Sequence, residues 1–277
     1  MGPLRALVGA GHDVALVVSQ PDKRRGRGGA LSASPVKRAA EELGLDVSDQ
    51  VDDVIGTGAE LGVVVAFGRL IKAHVLAAMP MVNIHFSLLP RWRGAAPVER
   101  ALLEGDPVTG VCLMALEEGL DTGPVYERAE VPITEDDTLE SLRARLAEVG
   151  TEMLVRRVAG GGSTLGPAVE QSGEATYASK LSADDLRLDW QLPADQLQRR
   201  VRLGGAWTTV QGRRLRVLDA RVEADLAVPP GSLRGSLVGT VRGCLRLVRI
   251  QPEGKGPMDA EAWLRGARLG DDASLGT

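Results

Sequence analysis

The sequence predicts an α/β protein in two parts, a doubly wound and mostly parallel sheet followed by a small β-barrel. Three observations carry this prediction. Apolar strand-like runs alternate with helical runs over the first 158 residues, which is typical of a parallel sheet covered by helices. A polar, glycine-rich stretch at 160–173 then interrupts the pattern. Short β-rich runs separated by Gly and Pro follow it, as in small barrels.

Helices and strands of the first part can be placed from residue spacing. The run 34–43 predicts a helix because Pro35 falls in the first turn, where its missing N–H costs nothing. Apolar residues at helical spacing predict a long helix over 137–158. The β-branched run 61–66 is apolar enough for a strand buried on both faces. Further helices are expected at 4–10 and 97–104, and further strands at 14–19, 81–85 and 110–116.

The second part begins with a helix near 193–202. Strands are expected at 215–222, 239–241 and 245–250. We therefore predict three regions, which are an N-terminal domain at 1–159, a linker at 160–176 and a C-terminal domain at 177–277.

Composition excludes several classes of protein. With 277 residues, 44% hydrophobic and 25% charged, the chain is typical of a globular protein. Its apolar runs are shorter than a membrane span needs, so we expect a cytoplasmic protein that does not bind membranes. Cys112 and Cys244 lie far apart in strand-like runs, which favours buried free thiols over a disulfide. The Cys and His residues lack metal-ligand spacing, so no metal is expected.

Three polar residues, Asn83, His85 and Asp121, form the candidate catalytic group. Asn83 and His85 are two apart on a predicted strand, so their side chains share one face. Asp121 follows the next predicted strand. An amide can donate to a carbonyl oxygen, an imidazole can take up a proton, and a carboxylate can orient that imidazole. Together they suit the transfer of an acyl group to an amine.

Each residue also has an ordinary structural explanation. A single His at the end of a strand is most often a buried structural residue. The phrase Asp121-Thr-Gly occurs in aspartic proteases, but these need two copies and this chain has one. Ser87 lacks the Gly-x-Ser-x-Gly setting of a hydrolase nucleophile. Only the ordered combination of the three residues supports catalysis.

That ordered combination resembles the folate-dependent formyltransferases. The matching phrases are Asn83-x-His85-x-Ser-Leu-Leu-Pro90, Arg93-Gly94 and Gly119-Leu-Asp-Thr-Gly123. The unbroken run Ser-Leu-Leu-Pro-Arg-Trp-Arg-Gly-Ala-Ala-Pro at 87–97 is most similar to the methionyl-tRNA formyltransferase family. Further similarity lies at 20–37, 177–180, 189–190 and 251–255, so it covers nearly the whole chain.

The resemblance implies a reaction and a set of residues. A formyl group would pass from 10-formyltetrahydrofolate to the α-amine of methionyl-initiator tRNA. Asn83 would bind the formyl oxygen, His85 would assist proton transfer, and Asp121 would orient His85 and accept the proton. It also implies a Rossmann-like first domain and an OB-like second domain that helps to hold the tRNA. Folate would lie against Ser87, Leu88, Leu89 and Pro90 and against Phe67, Gly68 and Leu70.

The resemblance assigns tRNA binding to a basic, glycine-rich segment at 23–29. Arg27 matches the family position that contacts the acceptor arm, with Lys23, Arg24 and Arg25 beside it. Such a segment should be a solvated loop in the free protein. Residues 180–277 carry 16 Lys and Arg against 12 Asp and Glu in a chain of net charge −4, which favours phosphate binding there. We expect a monomer.

The chain departs from the family at its beginning. Relatives open with a strand and a Gly-Thr-Pro turn, whereas this sequence begins inside the helix that follows. Without its central first strand, the sheet should show a gap or should close up. We expect an upstream in-frame stretch that encodes the strand. Two alternatives stay open, another 10-formyltetrahydrofolate-dependent formyltransferase or hydrolase, and a non-catalytic folate- or tRNA-binding remnant.

Overall fold

The chain forms two compact units in a computed structural model, which describes residues 1–25, 29–161, 165–270 and 273–276. The first unit contains Met1–Pro97, Val108–Pro132 and Arg143–Ala178. The second contains Ser179–Thr277 and two earlier segments, Val98–Pro107 and Ile133–Leu142. Arg27 lies outside the described residues, as do 162–164 of the predicted linker. No helix among the described residues is long and apolar enough to cross a membrane.

The first unit is built around a mixed sheet of four strands, in the order β5-β6-β8-β9. Strands β5 and β6 run parallel, whereas β8 is antiparallel to both β6 and β9. The unit has the Rossmann-like alternation of helices and strands that the sequence predicted. Its elements are α1 (Gly2–Gly9), β1 (Val17–Val18), β2 (Lys23–Arg25), β3 (Ala30–Ser32), α2 (Pro35–Glu42), β4 (Val47–Ser48), β5 (Gly62–Val65), α3 (Ala73–Ala78), β6 (Met81–His85), β7 (Arg93–Gly94), α4 (Pro97–Glu104, shared with the second unit), β8 (Val108–Ala115), β9 (Val125–Pro132), α5 (Leu139–Val158, also shared) and β10 (Tyr177–Ala178).

Among the described residues, the two groups of strands β1-β4 and β5-β6-β8-β9 do not join into one sheet. Strand β1 pairs only with β4, and among the described residues no strand pairs with the outer edge of β5. The strand predicted at 14–19 is only two residues long in the structure. The prediction that β5 is buried on both faces is wrong, because all four of its residues are half-buried. A strand with one unpaired edge stays accessible to water there.

A side chain joins the ends of β1 and β5, which do not pair with each other. Gln20, after β1, donates from Nε2 to the Phe67 carbonyl, after β5, at 2.8 Å. Ser19 Oγ lies 2.5 Å from Ser34 Oγ, and Ser34 caps α2 by accepting from the Lys37 N–H. The carboxyl ends of the two strands are therefore held by side chains, although the strands themselves do not pair.

A glycine lets α5 approach the strand that carries the candidate catalytic residues. A Cβ placed on Gly150 would lie 2.6 Å from Ile84 Cγ2 and 3.2 Å from Val111 Cγ1. The first contact is closer than real Cβ atoms tolerate, so a larger residue would push the helix away from β6 and β8. Leu142, Leu146 and Met153 of the predicted apolar stripe are buried on the same helix. The packing of α5 against Ile84 therefore holds β6 in place on the face opposite Asn83 and His85.

The basic segment differs from the solvated loop that was predicted. Lys23–Arg25 form β2 and pair antiparallel with β3, as one arm of a short hairpin. Arg24 also donates to the Gly29 carbonyl at 3.2 Å. Backbone pairing needs no apolar side chains, and so a run of cations can form a strand while Lys23 and Arg24 stay exposed.

The second unit is an antiparallel sheet with its own core, in agreement with the short strands predicted. The order is β11-β12-β15-β14-β13, with β16 beside β15. Trp190, Leu197 and Leu215 belong to the core, and both cysteines of the chain are buried and free. Its remaining elements are α6 (Ala194–Arg202), β11 (Trp207–Val210), β12 (Arg213–Glu223), β13 (Leu233–Arg234), β14 (Leu237–Gly239), β15 (Cys244–Pro252), β16 (Met258–Asp259) and α7 (Ala260–Ala267).

Candidate active site

Strand β6 carries Asn83 and His85 on one face, as their spacing predicted. Ile84 between them is buried on the opposite face against Gly150 of α5. The strand lies between β5 and β8, so that Asn83 has Val64 on one side and Met114 on the other. A strand that is paired on both edges is rigid, which suits side chains that must be held in position.

His85 is buried and held by two partners. Its Nε2 lies 2.9 Å from the Trp92 carbonyl oxygen, and its Nδ1 lies 3.6 Å from Asp121 Oδ2. A carbonyl oxygen can only accept a hydrogen bond, so Nε2 must carry a proton. In the neutral ring Nδ1 is then the basic nitrogen, and the nearby carboxylate would stabilise the imidazolium once Nδ1 is protonated.

Asp121 reaches His85 from the loop between β8 and β9. Its carboxylate oxygen Oδ2 accepts from the Gly94 N–H at 2.7 Å. Asp121 has a φ of +50° and Gly94 a φ of +113°, so both loops use left-handed backbone. The sequence predicts the acid at the carboxyl end of a neighbouring strand, but β8 is antiparallel to β6. The loop therefore has to return along the sheet to bring Asp121 to His85.

The remaining polar groups show what chemistry the site can perform. Among the described residues, the Asn83 side chain makes no hydrogen bond, which leaves its amide available to a substrate carbonyl. Cys112 pairs with His85 across the strands, and burial raises the pKa of its thiol. A thiol in that environment stays protonated and is a poor nucleophile. The arrangement supplies a hydrogen-bond donor, a base and a carboxylate.

The residues expected to bind folate follow the carboxyl ends of two parallel strands. Ser87, Leu88, Leu89 and Pro90 come after β6, and Phe67, Gly68 and Leu70 come after β5, so both groups lie at one edge of the sheet. Ser87 Oγ donates to the Arg91 carbonyl at 2.6 Å, and Leu89 is buried with Cys112, Met114 and Val125. These two contacts shape the loop after β6. Leu70 is 80% exposed.

Sequence reasoning missed the residues that hold the loop after β6. The Trp92 carbonyl fixes the His85 ring, and the Trp92 N–H donates to Thr176 Oγ1 at 2.9 Å. Gln171 contacts both this loop and the Asp121 loop. Gln171 and Thr176 belong to the stretch predicted as a linker, whose polar, glycine-rich composition gave no signal of a packing role.

Comparison with known protein families shows which family this chain belongs to. Residues 5–158 match the family described as formyl transferase, and residues 180–268 match the formyl transferase C-terminal domain. The chain belongs to the formyl transferase family. This confirms the resemblance read from the phrases around Asn83, His85 and Asp121.

Two relatives in this family match almost the entire chain. The methionyl-tRNA formyltransferase of Jannaschia sp. (strain CCS1) is 41% identical over 281 residues, which cover 96% of this chain and 93% of that protein. The methionyl-tRNA formyltransferase of Thermobifida fusca (strain YX) is 41% identical over 293 residues, which cover 99% of this chain and 94% of that protein. The similarity therefore includes both units.

Solved structures of formyl transferases share the fold. A methionyl-tRNA formyltransferase from Clostridium thermocellum superposes with a TM-score of 0.57 at 15% identity, covering 69% of this chain and 88% of that one. The sugar 3N-formyl transferase WlaRD, solved with dTDP and 5-N-formyl-THF, gives a TM-score of 0.68 at 15% identity. It covers 92% of this chain and 94% of its own. At these identities the likeness establishes the fold alone.

Proposed function

We propose that this formyl transferase transfers the formyl group of 10-formyltetrahydrofolate to the α-amine of methionyl-initiator tRNA. The observation that carries this proposal is the similarity to proteins named methionyl-tRNA formyltransferase, which extends over nearly the whole chain. A cytoplasmic monomer would suit this role in translation initiation. The domains would be those read from the sequence, 1–159 for catalysis and 177–277 for tRNA binding.

Asn83 would stabilise the charge that develops on the formyl oxygen. When the amine nitrogen attacks the formyl carbon, a C–N bond forms and the carbonyl oxygen becomes an oxyanion. The unengaged amide N–H of Asn83 can donate to that oxygen. One such donor typically contributes ~3 kcal/mol to transition-state stabilisation. The bond from the formyl carbon to N10 of the folate then breaks, and N10 takes up a proton.

His85 and Asp121 would manage the proton that the attacking amine must lose. With Nε2 donating to the Trp92 carbonyl, Nδ1 is the position at which His85 can accept that proton. The resulting imidazolium would face Asp121 Oδ2, 3.6 Å away. His85 is buried and Asp121 is half-buried, so the charge on Asp121 is screened less by water than it would be at the surface. No metal is needed for these steps.

The folate would lie at the edge of the sheet where β5 and β6 end. Backbone groups of Ser87, Leu88, Leu89 and Pro90 would contact it from one side, and Phe67, Gly68 and Leu70 from the other. Gly68 has a φ of +69°, a left-handed conformation that glycine adopts without strain. The Gln20 bond to the Phe67 carbonyl would keep this turn in place.

An assay of acceptor specificity would test the proposed reaction. We expect formyl transfer from 10-formyltetrahydrofolate to methionyl-initiator tRNA, and none to dTDP-amino sugars or to glycinamide ribonucleotide. Hydrolysis of the folate should be slow when tRNA is absent. Transfer to a sugar nucleotide alone would overturn the proposal in favour of another formyltransferase. Folate or tRNA binding without transfer would indicate a non-catalytic remnant.

The basic hairpin should contribute an electrostatic contact with tRNA. We propose Lys23, Arg24, Arg25 and Arg27 as this contact, because Lys23 and Arg24 are exposed and a run of cations can follow an irregular phosphate backbone. Replacing Lys23, Arg24 and Arg27 with alanine should raise KM for the tRNA while leaving folate binding unchanged. The dependence of log Kd on log salt should become shallower by about one for each phosphate that is no longer neutralised.

Matched variants separate this contact from general charge effects. Arg38→Ala and Lys72→Ala remove cations outside the hairpin and should leave the salt slope almost unchanged. An unaltered slope in the hairpin variant would show that tRNA is held elsewhere.

A further inference from the structure

Residues 169–178 bind the loops that carry Trp92 and Asp121 through backbone hydrogen bonds. Val169 exchanges two backbone hydrogen bonds with Val125, at 2.8 and 2.9 Å. Tyr177–Ala178 pair in parallel with Arg93–Gly94. The Thr176 carbonyl accepts from the Arg93 N–H at 2.9 Å. Between these anchors, residues 169–178 form a strap across the loops that carry Trp92 and Asp121.

Gln171 is the strap residue whose side chain joins the two loops. Its Nε2 donates to the Asp121 carbonyl and to the Gly123 carbonyl, both at 2.8 Å. Its Oε1 accepts from Arg93 Nε at 3.1 Å and from a terminal guanidinium nitrogen of Arg93 at 2.7 Å. Both donor hydrogens and both lone pairs of the amide are therefore engaged.

The position of these bonds matters because the Asp121 loop is held in a conformation that few residues adopt. Asp121 has a φ of +50°, which costs free energy unless neighbouring contacts impose it. The Gln171 amide binds the carbonyl of Asp121 itself and that of Gly123, two residues further along the chain. It also binds Arg93, whose neighbour Gly94 donates to the Asp121 carboxylate. One side chain thus binds the backbone of the acid and the guanidinium of the residue before Gly94.

We propose that Gln171 is a positioning residue for formyl transfer, which acts by fixing the Asp121 carboxylate against His85. This inference rests on the proposed role of Asp121. Gln171 would not touch the substrate. Without its bonds the Asp121 loop could relax, and the 3.6 Å separation between Asp121 Oδ2 and His85 Nδ1 would no longer be maintained. Misplacement of a catalytic group by about 1 Å can cost roughly 100-fold in rate.

Two substitutions at this position test the proposal. Gln171→Ala removes all four bonds. Gln171→Glu keeps an acceptor for Arg93 but turns a carboxylate oxygen towards the Asp121 and Gly123 carbonyls, which cannot donate to it. We expect both variants to lower kcat by about 10- to 100-fold, with KM for folate and for tRNA almost unchanged. If Gln171→Glu retained full kcat, the bonds to the Asp121 loop would be irrelevant and the proposal would be wrong.

A control variant distinguishes positioning from a general fall in stability. Arg157 also ties distant parts of the first unit together, through the Tyr126 and Leu165 carbonyls and the Glu127 carboxylate. Arg157→Ala should lower Tm by at least as much as Gln171→Ala, while kcat below the melting range stays near that of the parent protein. A proportional fall of kcat in both variants would show that Gln171 is merely structural.

A double-mutant cycle with Asp121→Asn identifies the residue through which Gln171 acts. If Gln171 positions the carboxylate, Gln171→Ala should lower the rate little further in the Asp121→Asn background, as measured by single turnover. Multiplicative effects would show that it acts elsewhere. Full activity of Asp121→Asn itself would overturn the assignment of the acid, whereas an inactive Asp121→Asn beside a fully active Gln171→Ala would overturn only the role of Gln171.

Discussion

Replacing Asn83 with alanine is expected to lower kcat by about 100-fold or more while changing KM for folate little. The physical reason is that, in the proposed mechanism, the amide donates to a charge that exists only in the transition state. Asn83 lies on a strand paired on both edges, and its side chain makes no hydrogen bond among the described residues. Its removal should therefore leave the fold intact. Steady-state kinetics with initiator tRNA as acceptor would measure the effect.

A second substitution at the same position separates hydrogen bonding from shape. Asn83→Asp preserves the size of the side chain but replaces the donating NH₂ with an oxygen, which would repel the developing oxyanion. It should be at least as damaging as Asn83→Ala. If either variant matched the parent kcat, Asn83 could not be the oxyanion donor.

The second large effect is expected at Asp121. Asp121→Asn keeps the volume of the side chain, and its remaining oxygen can still accept from the Gly94 N–H. The negative charge beside His85 is removed, so an imidazolium at Nδ1 would no longer be stabilised. We expect a fall in kcat of about 100-fold or more with Tm nearly unchanged. Circular dichroism and thermal unfolding would verify that the variant is folded.

Glu118→Gln provides the matched control for Asp121→Asn. Glu118 lies in the same loop but is exposed, so its neutralisation removes one negative charge from the same region of the protein. Its kcat should stay within about two-fold of the parent value, because exposed charges are screened by water and salt. Equal falls in kcat for both variants would attribute the effect to net charge and would remove Asp121 from the catalytic group.

Strand β5 shows which features of a strand a local sequence pattern can predict and which it cannot. The β-branched run of β5 was enough to predict a strand there, because side-chain branching acts locally. Its burial was predicted wrongly, because burial depends on what pairs with the strand from elsewhere in the chain. Strand β1 pairs with β4 instead of β5, and the half-buried state of β5 follows from that arrangement.

The sequence by itself determined the candidate catalytic side chains and the order of the elements. Asn83 and His85 share a face because strand periodicity is local, and the phrase around Asp121 identified the family through short-range spacing. Only the tertiary structure decided which groups hold them. The Trp92 carbonyl that fixes the His85 ring is a backbone atom, which no residue type reveals. Gln171 meets the Asp121 carbonyl from 50 residues away, and a partner at that separation is selected by the fold as a whole.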